Sequence, residues 1–305
     1  PEVQLIGVGG SFRNLCRMAK IMRKYPLRNI HNYVLKDVEF NHTYDMLKNL
    51  ELDRKKKIKG LSSGRADILP SALAAVSAFK KYMNLGDIVV SGSGLRTGLL
   101  FNYAVPTTVD KPVSDVLSYS LAGLVEYYGC SKQHTDQVVD LSIQLFKQLR
   151  VLHKFPRQHL KILKVAASLH AAGSRVQFYN FEKHSGYIIM NANIYGLSHR
   201  DTVLAAFVAA STSMEDINAA EWVKYRDLVG DEDVEAVKKM GIMLRIAEAL
   251  DRSMTSVVKG INCDILGDSV IMKTELDGDA ALEINAALQV GPDFRKVFKK
   301  NLEIL

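Results

Sequence analysis

Two glycine turns restrict this chain more than any other feature, because each separates a short apolar run from a helical pattern. Val3-Gln4-Leu5-Ile6 is stopped by Gly7-Val8-Gly9-Gly10, and from about Ser11 the residues Phe12, Leu15, Ala19 and Met22 share one helical face. Ile88-Val89-Val90 runs into Ser91-Gly92-Ser93-Gly94, and a short helix follows from about Leu95. Strand, glycine turn and helix occurring twice in the first third of 305 residues predict an α/β layer. Backbone N–H groups at such a turn, together with the helix N-terminus behind it, can hold a phosphate, and glycine lets the anion approach. A dinucleotide fingerprint would need Gly or Ala three residues after Gly9, where this chain has Phe12. A purely structural strand-to-helix turn accounts equally well for the four residues alone.

Between the turns, helical stretches carry the basic run Arg54-Lys55-Lys56-Lys57. After a break at Gly60–Gly64, Leu69, Ala72, Leu73, Val76, Phe79 and Met83 follow the spacing of an amphipathic helix. The proline-bearing stretch from Ala104 to Pro112 has no periodicity and is expected to divide two domains. Residues 113 to about 253 read as helix after helix, one of them opened by the capping pattern Ser198-His199-Arg200-Asp201. Beyond Thr255, Val270-Ile271-Met272 and Leu282-Glu283-Ile284 read as strands, and Asp293 to Lys300 as a last helix. The expected layout is therefore an α/β domain at 1–105, a mostly α domain at 113–255 and a small α+β segment at 256–305.

The charge is distributed unevenly. Residues 1–122 hold 18 Lys/Arg against 10 Asp/Glu, a net +8, and residues 123–305 hold 22 against 23, a net −1. A field of that kind attracts a polyanion, with Arg54, Lys55, Lys56 and Lys57 as the candidate contacts; the plainer alternative is a solvated helix face. The basic stretches lack interleaved aromatics for base stacking, so nucleic acid is not the expected polyanion. Cys16, Cys130 and Cys263 lie far apart, which predicts neither a disulfide framework nor a zinc site and suggests a reducing, cytoplasmic setting. No apolar run approaches the roughly 18 residues that cross a bilayer.

Three segments in order, Gly7-Val8-Gly9-Gly10-Ser11-Phe12-Arg13, Ser63-Gly64-Arg65-Ala66-Asp67-Ile68-Leu69 and Ser91-Gly92-Ser93-Gly94-Leu95-Arg96-Thr97-Gly98-Leu99-Leu100, resemble the exopolyphosphatase/guanosine pentaphosphate phosphohydrolase family. His134 and Leu250-Asp251-Arg252-Ser253 extend the resemblance over nearly the whole chain. It implies part of an actin-like, ribonuclease-H-like domain followed by a helical domain of HD type. It further implies hydrolytic release of terminal phosphate from polyphosphate or guanosine pentaphosphate, with magnesium as cofactor and a homodimer as the assembly. The phosphate-binding residues it implies are Gly7, Gly9, Gly10, Ser11, Arg65 and Arg96, and Thr97 departs from the family's usual glutamate. The family's first phosphate loop and its carboxylate base have no counterpart here. No catalytic residue is therefore expected in this chain, the base is expected upstream of Pro1, and the chain alone is expected to be inactive. A non-catalytic polyanion-binding module, or a diverged and inactive relative, is the alternative.

An HD-type site would use His134, His170, His184 and Asp251 to hold metal. The partner of His170 is Ala171, which offers no ligand atom, so a structural relic is expected rather than a loaded metal site.

Overall fold

A computed structural model describes residues 3–105, 112–211 and 219–305, which form two units, 1–114 and 115–305. Most of the expected divide between Ala104 and Pro112 lies outside the described residues.

In the first unit β1 (Leu5–Gly7) leads through the first glycine turn into α1 (Gly10–Met22). There follow β2 (Tyr33–Leu35), α2 (Asp37–Lys48), the single turn α3 (Leu52–Lys55), α4 (Leu69–Met83), β3 (Ile88–Val90) and α5 (Leu95–Ala104). The strands order as β1-β3-β2, with β1 parallel to β3 (Gly7 opposite Val90) and β2 antiparallel to it. Gly7, Tyr33, Leu35, Ile88 and Val90 face a core shared with Leu15, Met18, Phe40, Leu47, Leu69 and Leu73 from α1, α2 and α4. The alternation of strand side chains turns Ile6 and Val34 to the opposite, exposed face. Because β1 and β3 are parallel, both glycine turns leave the same edge of the sheet, and the Ser91 N–H donates to the Gly7 carbonyl at 2.9 Å.

The second unit is mostly helical: α6 (Val116–Tyr127), α7 (Lys132–Gln148), α8 (Arg150–His153), α9 (Gln158–Leu169), α10 (Phe181–Asn191), α11 (His199–Ala210), α12 (Ala219–Trp222) and α13 (Asp231–Ala249). The helices α7, α9, α11 and α13 pack on one another, and α9 buries Leu163, Val165, Ala166, Ala167 and Leu169 nearly all round. Ser198 caps α11 by accepting the Asp201 N–H at 3.1 Å. After α13 come β4 (Val258–Leu266), β5 (Ser269–Leu276), α14 (Ala281–Leu288), α15 (Gly291–Phe298) and β6 (Asn301–Ile304). The sheet order is β4-β5-β6; β4 packs on α7 while α14 and α15 pack on α13, so residues 256–305 belong to the same unit as the helices.

One expectation is corrected here. Leu282-Glu283-Ile284 lies within α14, not in a strand. A three-residue apolar run does not separate helix from strand, and the alanines around it favour the helix.

Candidate functional site

The first glycine turn has the geometry of an anion site. Gly9 sits at φ 111°, a conformation that a residue with a Cβ rarely adopts, and α1 starts at Gly10 with no side chain capping it and no acidic residue in its first turn. The N–H groups of the first turn are thus left to bind something else. Over Gly10 lies the guanidinium of Arg65, so close that a Cβ on Gly10 would fall 2.5 Å from Arg65 Cζ. Arg65 is exposed and has no ion pair or hydrogen-bonding side-chain partner among the described residues.

Asn14, which is 4% exposed, fixes this arrangement. Its Nδ2 donates to the Gly10 carbonyl at 2.8 Å, and its Oδ1 accepts the Ser62 N–H at 2.8 Å. The glycine turn and the loop that carries Arg65 are thereby tied to each other. Sequence reasoning missed Asn14, because the link spans 48 residues and depends on tertiary placement.

Gly7 has a packing task at the start of this turn. A Cβ there would fall 2.4 Å from the Phe12 ring, so the glycine makes room for a packed aromatic side chain. Ser11 lies half-buried in the first turn of α1. Arg96 stands exposed on the first turn of α5, without a partner among the described residues. The second glycine turn has a neighbour that the sequence did not disclose: His31 Nδ1 accepts the Gly92 N–H at 3.4 Å. Burial holds His31 below the ordinary imidazole range, which keeps Nδ1 an acceptor at neutral pH. In the basic run Arg54, Lys56 and Lys57 are exposed and Lys55 is half-buried, and Lys56 pairs with Asp53 at 3.3 Å.

In the helical unit, three helix ends bring His134, His170 and Asp251 together. His134 lies in the first turn of α7, His170 caps the C-terminus of α9, and Asp251 follows the end of α13. The Asp251 carboxylate is completely buried; it meets His134 Nδ1 at 2.8 Å and accepts the Ser256 N–H at 2.7 Å. His170 Nδ1 donates to the Ala167 carbonyl at 2.7 Å, and the two Nε2 atoms face each other at 3.2 Å. With both Nδ1 atoms donating to oxygen, an Nε2–Nε2 hydrogen bond requires one proton shared by the pair. Burial lowers the pKa of His170, against an opposing pull from Glu248.

The donor set is too small for a closed metal site: only the two Nε2 atoms converge, Ala171 offers no donor, and no hydrogen bond joins half-buried His184 to the three residues. Among the described residues no group of three or more His, Cys, Asp or Glu is placed to hold a metal. Nor does any helix among them have the length and apolarity to cross a membrane.

Residues 2–105 match a family described as the Ppx/GppA phosphatase family, and residues 117–287 match one described as Ppx/GppA phosphatase, domain III. Among curated relatives, a protein of Aeromonas salmonicida (strain A449) named guanosine-5'-triphosphate,3'-diphosphate pyrophosphatase is 28% identical over 143 residues, covering 47% of this chain and 28% of the relative. A protein of the same name from Aliivibrio fischeri (strain MJ11) is 27% identical over 155 residues, covering 51% of this chain and 29% of the relative. The chain thus matches less than a third of the length of either relative.

Proposed function

The chain belongs to the Ppx/GppA phosphatase family, and from that premise we propose that its first unit is the phosphate-holding part of a hydrolase acting on terminal phosphoanhydride bonds. The observation that carries this reading is the guanidinium of Arg65 over Gly10, at a helix N-terminus with no side-chain cap and no acidic residue in its first turn. In such a hydrolysis water attacks the terminal phosphorus, the bridging P–O bond breaks, and negative charge spreads over the phosphoryl oxygens. The turn from Gly9 to Ser11 would bind those oxygens through backbone N–H groups, and Arg65 would neutralise their charge, joined by Arg96 from the second turn. None of these groups takes a proton from water at neutral pH, so the reading assigns this chain binding and charge stabilisation rather than the base.

The substrates under this proposal are guanosine pentaphosphate, which fits the relatives' printed name, and inorganic polyphosphate. Magnesium would supply further charge neutralisation on the phosphates themselves. The finer architecture belongs to the same proposal: an actin-like, ribonuclease-H-like piece at 1–105, an HD-like helical piece at 113–255 and a small α+β segment at 256–305, in a cytoplasmic homodimer. A second reading, a polyanion-binding module without catalysis, draws its support from the exposed Arg54, Lys56 and Lys57.

The test is equilibrium binding of guanosine pentaphosphate and of short polyphosphate to the whole chain and to its Arg65→Ala variant. Loss of affinity for both ligands by about tenfold or more, as for a charge-assisted contact of roughly 1.5–3 kcal/mol, is expected. Unchanged affinity in the variant would remove Arg65, and with it the reading, from the phosphate site.

A further inference from the structure

The helical unit contains a pocket of about 270 Å³, close to the lower end of the roughly 300–1,000 Å³ typical of small-molecule sites. Its described walls come from α10, the end of α11, α13 and α14, with the ring of His170 at one side. Leu244, Ala249, Ala286 and Val290 make much of the lining apolar.

The charged groups in this lining are incompletely paired. Arg245 is taken by Asp293 at 2.8 Å. Glu248 is half-buried, yet its carboxylate has no hydrogen bond or ion pair among the described residues, and the same holds for Glu182. Arg252 is exposed and equally without a partner. A half-buried carboxylate with no protein donor is left to water or to a ligand donor. Carboxylates only accept, and with two oxygens side by side they match two parallel N–H donors. A guanidinium within the same lining adds a contact for an anion.

We propose that this pocket binds a small molecule whose head presents two adjacent N–H donors to Glu248 and whose tail presents an anionic group to Arg252. Two common sources share that chemistry: the N1–H/N2–H edge of a guanine nucleotide, and the guanidinium of an arginine-type amino acid. The corresponding edge of adenine alternates donor and acceptor and leaves one carboxylate oxygen unmatched. This site does not depend on the phosphate-holding role proposed for the glycine turns, and the two fail separately.

The experiment is calorimetric titration of the whole chain with GMP, AMP, arginine and ornithine. GMP is expected to bind more tightly than AMP, or arginine more tightly than ornithine, and the preferred member of the pair identifies the source. In Glu248→Gln that preference falls by about tenfold, as expected when one good bidentate contact is lost. Ala286→Leu, which fills the pocket without touching a charge, abolishes that preference. No binding of either GMP or arginine to the parent chain overturns the proposal. So does a preference that survives both Glu248→Gln and Ala286→Leu.

Discussion

Arg65 lies so near Gly10 that a single added methyl at position 10 would sit 2.5 Å from the guanidinium carbon. Under the proposed reading these two residues form one anion site, the glycine supplying backbone N–H and space and the arginine supplying charge. Gly10→Ala should displace Arg65 and weaken phosphate binding nearly as much as Arg65→Ala, while the fold is kept because the arginine is exposed and free to move. Parallel measurements of phosphate-ligand affinity and thermal stability for the two variants check this. A Gly10→Ala protein with full affinity would show that the close approach has no bearing on binding.

Asn14 gives a prediction that separates positioning from folding. Asn14→Ala removes the donor to the Gly10 carbonyl and the acceptor for the Ser62 N–H. The expected loss is about 1–3 kcal/mol of stability, measured by urea unfolding. Affinity for phosphate ligands should also fall, because the Arg65 loop is no longer fixed to the turn. Asn14→Asp keeps the acceptor for Ser62 but sets a buried carboxylate oxygen against the Gly10 carbonyl and adds negative charge beside the turn, so it should bind phosphate no better than the alanine variant.

The parts of this site differ in how far sequence discloses them. The two glycine turns are visible because the apolar period changes from strand to helix around them, a purely local signal. The Asn14–Ser62 and His31–Gly92 contacts join residues far apart in the chain and leave no local mark. Strand β2 escapes notice for the same reason, since its three residues are strand only by pairing with β3. In the helical unit the histidines and Asp251 could be aligned by resemblance, but their engagement with one another depends on three helix ends meeting. Gly7 is legible as a glycine in a phosphate-like turn, but its close packing against the Phe12 ring is not.

The buried pair of His134 and Asp251 predicts a large structural effect, and the missing donor at Ala171 predicts no tightly held metal. His134→Ala leaves the fully buried Asp251 carboxylate with only the Ser256 N–H, and should cost about 3–5 kcal/mol of stability. Protein purified without added ions should carry no stoichiometric transition metal by elemental analysis. One equivalent of metal, lost in His170→Ala, would show that two imidazoles suffice to hold it without a donor at position 171.

Acid should destabilise the helical unit through its other buried histidines. Desolvation is the main cause holding both His153 and His159 below the ordinary imidazole range. His153 is also fixed in one neutral tautomer, its Nε2 donating to the Phe146 carbonyl and its Nδ1 accepting the Phe155 N–H. A histidine whose folded pKa is depressed binds its proton more readily when unfolded. Its contribution is therefore fully present above the unfolded value of about 6.5 and is lost as pH falls below it, toward the folded pKa. Unfolding midpoints at a series of pH values between about 8 and 5 should decline below about 6.5. His153→Gln, which removes the titrating group, should flatten the decline; an unchanged slope would place the acid sensitivity elsewhere.

The basic run discriminates between a phosphate-end enzyme and a binder of long polyanions. Arg54, Lys56 and Lys57 project from around the short α3, and among the described residues only Lys56 has an acidic partner, the exposed Asp53. An exposed pair of that kind contributes about 0–1 kcal/mol and leaves the positive field nearly intact. If the run grips polyphosphate, neutralising Lys55, Lys56 and Lys57 together should weaken long chains far more than short oligomers, which need only the turn from Gly9 to Ser11 and Arg65. Affinity for long chains should also fall steeply with salt, because binding a dense linear polyanion releases its condensed counterions, and the triple variant should show a shallower salt dependence. Replacing Gly9 by a bulky residue should harm long and short ligands alike, since its φ of 111° admits no ordinary side chain without strain. Equal affinity of the triple variant and the parent chain for long polyphosphate at two salt concentrations would identify the lysines as a solvated surface and leave binding to the glycine turn alone.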